Sequence, residues 1–413
     1  MGHTQHWRRD NHGPVAPVTL RTDKTVAVVV ENHQAGDRLG DVVSLFEHDP
    51  RIQVVYVLAQ NSRFSPSAAS YLERFDGLLL TWEQALRYDF DLALAGNNGH
   101  NSHLEQLRAP VLVVPHGMGF SSVVPPGAGF GPPLRKPPIV DAIYSTLVRY
   151  GRVSAAAITV PHVNHRHTIG RVVSEALEIT HVVGDPAYDR ATSSASERDR
   201  FRQAAGVDAD ERLVVLSTTW GGESLIGMEP GLVERVMTAL PGDHVVALLV
   251  HPGVWSAHSP RQLLAWLAAA RRRGLRVLEP NSSWLGLLMA ADVVIGDHGS
   301  TTYMAAALGN PVLLTGGGLE GVAPGSQSEV LLRMERRHDP ERSLPAQLET
   351  VIGRHDPGVT DLYRSLLTSE PGRAAALVRE LIYRLLGLPE PGDTAVPAPL
   401  RSPTFFHYGT EDR

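Results

Sequence analysis

Residues 291–302 read Ala291, Asp292, Val293, Val294, Ile295, Gly296, Asp297, His298, Gly299, Ser300, Thr301, Thr302. The apolar run 293–296 is too short for a helix and suits a strand covered on both faces. Gly299 lets the backbone approach a ligand closely. Ser300, Thr301 and Thr302 then open a helical stretch whose first N–H groups and hydroxyls suit a phosphate or diphosphate without a metal. Ordinary helix capping by Ser or Thr is the structural alternative.

The same grammar extends in both directions from this stretch. Upstream in the second half, residues 213–217, 245–250 and 276–278 read as strands, and 231–240, 261–273 and 284–290 as helices. Downstream, 301–308 is a helix and 312–314 a strand. The first half repeats the pattern, with strands at 26–30, 54–58, 78–80, 92–95, 111–114, 155–160 and 181–183. Helices are expected at 38–46, 67–75 and 82–86, and the Pro- and Gly-rich stretch 121–138 is a loop. Residues 194–212 are charged and helical and read as a linker. The outcome is an α/β chain of two doubly wound, Rossmann-like halves in tandem.

Composition bounds what such a chain does. Its 413 residues suit two domains, and 43% hydrophobic with 20% charged residues is globular. Lys plus Arg is 38 against 44 Asp plus Glu, a net charge of −6, which argues against a nucleic-acid binder. With no cysteine, disulfides, thiolate metal sites and cysteine nucleophiles are excluded. Residues 1–24 are polar and lack the apolar core of a signal peptide, and no charge-free apolar run approaches ~18 residues. A cytoplasmic protein without a transmembrane segment is the expectation. Arg271, Arg272 and Arg273 read as a helix C-terminus, with peripheral phospholipid contact the lesser reading.

Ligands of open parallel sheets bind beyond the carboxyl ends of the strands, so the residues just past each strand matter most. Besides Asp297 and His298, the ends carry Thr218, Thr219, Gly221 and Gly222, then His251 before Pro252, and His116 before Gly117, Met118 and Gly119. An imidazole at such a place suits proton transfer near neutral pH, although a lone histidine is more commonly structural. The run His162, His165, His167 falls in an expected loop and invites a metal reading. No HExxH or EF-hand pattern supports it, so no metal is expected. A P-loop, a GxGxxG turn after the first strand and a GxSxG elbow are all lacking, which disfavours NTPase, hydride-transfer and serine-hydrolase chemistry.

Taken in order, these segments resemble the GT-B fold, and within it the CDP-glycerol glycerophosphotransferases of the teichoic-acid type. The carrying residues are His116-Gly117, Gly184-Asp185-Pro186-Ala187-Tyr188-Asp189, His251-Pro252, the block 291–300 and Pro311-Val312. Departures are Gly299 where serine is common in the family, and Leu249-Val250 where an arginine precedes the His-Pro step. The resemblance implies an acceptor domain at 25–190 after a flexible segment 1–24, and a donor domain at 208–370 facing it across a cleft. A helix at 371–388 is expected to return to the first domain, followed by a Pro-rich tail at 389–413.

It also implies a metal-independent transferase with no cofactor, its CDP- or UDP-linked donor being a substrate. His116 would be the general base toward an acceptor alcohol, polymer or metabolite, with Gly117, Met118 and Gly119 on the acceptor side. His251 would stabilise phosphate charge, and Thr218, Thr219, Gly221, Gly222, Asp297, His298, Gly299, Ser300, Thr301 and Thr302 would hold the diphosphate. Glu279 and Asn281 are candidates for the base or ribose. A UDP-sugar 2-epimerase of the same fold and a non-catalytic nucleotide-binding homologue are the alternatives.

Overall fold

The computed structural model describes residues 20–59, 77–96, 103–115, 143, 147–319, 322 and 324–407. The chain divides into two units, each built on its own parallel sheet. In the first unit the strands are β1 (Lys24–Val30), β2 (Ile52–Leu58), β3 (Leu78–Leu80), β4 (Leu92–Ala95) and β5 (Val111–Val113). A short antiparallel hairpin, β6 (Val148–Arg149) and β7 (Arg152–Val153), leads to β8 (Ala157–Val160) and β9 (Thr180–Val182). The sheet order is β3-β2-β1-β4-β5-β8-β9, so the direction of winding reverses between β1 and β4. β1 is buried from Thr25 onward because helices cover both faces, which its unbroken valine run requires.

Helix His33–Val43 starts earlier than the sequence pattern suggests, because the Asn32 side chain accepts the Ala35 N–H at 2.9 Å and caps it. Its Leu39 and Val42 meet Val26, Val28 and Leu94 in one core. That core is completed by Val378, Leu381 and Ile382 of the helix Ala374–Leu386, so the first unit is finished only after the second has been threaded. Each such side chain contributes about 1.5–3 kcal/mol on burial. The Gly184 to Asp189 turn fastens this return. Asp189 accepts the N–H groups of Gly372 (2.7 Å) and Ala374 (2.9 Å), while Asp185 takes Arg38 at 3.1 Å. Burial raises the Asp189 pKa against the pull of those two N–H bonds.

The second unit holds β10 (Arg212–Thr218), β11 (His244–Val250), β12 (Arg276–Val277), β13 (Val293–Gly296), β14 (Val312–Leu314) and β15 (Arg336–Arg337). Their order, β12-β11-β10-β13-β14-β15, is again doubly wound, with its reversal between β10 and β13. The stretch expected to be a linker belongs here. Arg198 and Arg202 of helix Arg198–Ala204 both grip Asp292, at 2.6 and 2.7 Å, and Asp292 also accepts the Leu213 N–H. The Pro-rich tail is docked too: the Phe406 N–H bonds Val277, and its ring lies 5.6 Å from Trp255. Helix Pro252–Trp266 begins directly after His251, earlier than expected, and breaks at Ser259 ahead of Pro260. Helices Gln327–Met334, Leu344–Gly353 and Pro357–Leu367 are additions to the expected set.

Candidate functional site

The reversal between β10 and β13 brings together the segment after Thr218 and the segment after Gly296. Asp297 joins them. It is wholly buried, one carboxylate oxygen accepting the N–H groups of Thr219 (2.7 Å) and Leu225 (2.9 Å), the other that of Gly299 (3.0 Å). Burial pushes its carboxyl upward, while the nearby His298 and these three N–H groups pull it down. Within the described residues the Asp297 carboxylate thus serves the backbone of the two loops.

Beyond it, the helix Ser300–Leu308 begins at Gly299 without a side-chain cap. Ser300 is exposed and Thr301 half-buried. A Cβ added at Gly299 would lie 3.1 Å from the Asp297 side chain and 3.2 Å from that of Thr219, so the two loops are closely packed here. Thr302 is turned inward: it is fully buried, and its methyl and hydroxyl pack on Gly296. Thr218 is likewise buried, its hydroxyl donating to the Thr219 carbonyl at 3.1 Å. The side chains of these two threonines are thus turned into the protein, which leaves their backbone groups as what they could offer a ligand. Gly221 and Gly222 are exposed.

His251 comes directly after β11 and is tied to the same corner, its N–H donating to the Thr218 carbonyl at 3.1 Å. Its Nδ1 accepts the Gly253 N–H at 2.9 Å, so the neutral ring carries its proton on Nε2 and presents a donor. Trp220 stacks on it with centroids 6.2 Å apart. His298 holds Ser328 through its carbonyl, and its buried Nδ1 has no partner among the described residues. Glu279 and Asn281 stand beyond β12, separated from Asp297 by β11 and β10. The Glu279 carboxylate accepts the Thr404 hydroxyl at 2.8 Å, which ties it to the tail.

Sequence reasoning missed a third loop, residues 315–318 after β14. Gly316 has φ +80°, a Cβ added to it would lie 3.3 Å from the Asp297 side chain, and the Gly317 N–H donates to the Glu223 carbonyl at 2.9 Å. The signal was present as Gly316-Gly317-Gly318 directly after an apolar strand. Trp220 was missed because nothing in its spacing announces a stacking partner. His116, Gly117, Met118 and Gly119 lie outside the described residues, as do the expected helix at 67–75 and the loop at 121–138. The histidine run is not a loop: His162 caps the helix Val163–Val172 by accepting the Asn164 N–H at 3.0 Å. Among the described residues no group of three His, Asp or Glu side chains could hold a metal ion, and no helix is long and apolar enough to cross a membrane.

No protein-family model and no curated protein matches the sequence. Solved structures do match its fold. The wall teichoic acid polymerase TagF, in a variant soaked with CDPG, aligns with a TM-score of 0.62 at 13% identity, over 89% of this chain and 90% of that one. UDP-GlcNAc 2-epimerase from Neisseria meningitidis, bound to UDP-GlcNAc, aligns at 0.53 and 11% identity, over 87% and 100%. Two doubly wound parallel units in tandem, matched to these neighbours over nearly the whole chain, define a GT-B fold. Within that class the chain resembles the wall teichoic acid polymerase TagF in architecture.

Proposed function

We propose that this protein is a transferase that moves a glycosyl or glycerophosphoryl group from a CDP- or UDP-linked donor to an acceptor hydroxyl. The observation that carries the reading is the corner of the second sheet, where an uncapped helix start at Gly299 meets the Thr219 loop at the sheet's reversal point. Free N–H groups and the positive end of a helix dipole favour a diphosphate at such a place. His251 adds an Nε2–H donor that stabilises charge gathering on the donor phosphates as the bond breaks.

His116 is proposed as the general base, on the strength of its His-Gly step at the end of a first-sheet strand. It takes the acceptor's hydroxyl proton as the new bond to oxygen forms. For glycosyl transfer the sugar–phosphate bond breaks and the nucleoside diphosphate leaves. For glycerophosphoryl transfer the P–O–P link breaks and CMP leaves. His116→Ala should keep donor binding by calorimetry and lose turnover. If no CDP-, UDP-, GDP- or dTDP-linked donor binds the wild-type protein, the proposal is wrong.

The second reading, a UDP-sugar 2-epimerase, draws on the fold shared with the Neisseria enzyme. Incubation with UDP-N-acetylhexosamine alone separates the two. Isomer formation without an acceptor would establish the epimerase and remove the transferase.

A further inference from the structure

A diphosphate brings at least two negative charges, and the described loops offer it little positive charge. The helix start supplies the equivalent of about half a charge. His251 in its Nε2–H form supplies a hydrogen bond without a charge, Asp297 is spent on backbone N–H groups, and Glu223 is acidic. A guanidinium does reach this corner. Arg337 ends β15, which lies beside β14 with Leu314 opposite Arg337. It donates through Nη1 to the Gly316 carbonyl (3.4 Å) and through Nη2 to the Gly317 carbonyl (3.2 Å).

Those two glycines are the ones packed on Asp297 and Glu223. The arginine is therefore fixed to the loop that closes one side of the corner. It is exposed, and among the described residues it makes no ion pair with a carboxylate and leaves three of its five N–H groups without a partner. Several other arginines of the unit differ in this respect. Arg198 and Arg202, for example, are neutralised by Asp292. Guanidinium groups suit phosphate because they are planar, always charged and hydrogen-bond with fixed geometry.

We infer that Arg337 is the cation of the donor site: it braces the glycine loop with two N–H groups and turns its charge and remaining donors toward the donor's diphosphate. The inference rests on the proposed nucleotide-donor reading and adds to it the residue that sets affinity for the phosphates.

The test is calorimetric titration of CDP and UDP into the full chain, at low and at moderate salt, for wild type, Arg337→Gln and Arg337→Ala. Gln keeps a donor for the glycine carbonyls and removes the charge, so it separates bracing from charge. Both variants should bind at least about tenfold more weakly, the loss of one charge-assisted contact. Both should also show a flatter salt dependence, and Arg337→Gln should keep the wild-type thermal midpoint in the absence of nucleotide. Arg336→Ala should bind as wild type. Wild-type affinity in Arg337→Gln would overturn the role assigned to Arg337 while leaving the donor site standing. Failure of the wild-type protein to bind CDP, UDP, GDP or dTDP would overturn the donor site itself, and this inference with it.

Discussion

Asp297 shows how one buried carboxylate turns two loops into one corner. Three backbone N–H groups that would otherwise be unsatisfied converge on it inside the protein. Asp297→Asn replaces one acceptor oxygen with an NH2 group that faces an N–H. The expected cost is about 2–4 kcal/mol in denaturant unfolding, together with loss of CDP and UDP binding by calorimetry. Glu31 is a different case. It comes directly after β1 where the first sheet reverses, it is 8% exposed, and burial raises its pKa to about 8. Because the folded-state value lies above the unfolded one, its contribution is fully present below the unfolded value of 4.5 and declines as pH rises through about 8. Stability should therefore fall between about pH 5 and 8.5, and Glu31→Gln should flatten that fall; an identical pH dependence in the two proteins would contradict the burial account.

At the scale of elements, the return helix Ala374–Leu386 depends on a distant cap. Its own leading residue, Arg373, makes no side-chain cap, and Asp189 serves in its place. Asp189→Ala should cost about 1–2 kcal/mol and lower amide exchange protection first in residues 374–378. The tail behaves similarly in the second unit. Phe406 packs on Trp255, and an isolated antiparallel bridge joins Phe405 to Leu278. Phe406→Ala should remove about 1–2 kcal/mol, read as a lower midpoint for the second unit in exchange-detected unfolding.

For the whole molecule, two units of similar architecture carry different chemistry because different residues stand at their sheet reversals. Glu31 occupies the first and the Asp297 corner the second. Saturating CDP or UDP should therefore protect amides in residues 219–225, 299–303 and 315–318 and leave β1 to β5 unchanged. Uniform protection of both units would contradict a donor site confined to the second sheet.

The sequence alone determined the alternation of strand and helix, because buried parallel strands need unbroken apolar runs that periodicity reveals. Residues 293–296 were recovered to the residue for that reason. It also marked Asp297, Gly299 and His251 as strand-end residues. Periodicity says nothing of a side chain's direction once a strand has ended. Only the tertiary structure turned Thr302 and Thr218 inward, gave Asp297 to the backbone, and carried Gly316 and Arg337 to the same corner. The contacts that join the loops, Asp297 to Thr219 and to Gly316 and Arg337 to Gly316, link residues 78, 19 and 21 positions apart, separations across which local propensity carries no information.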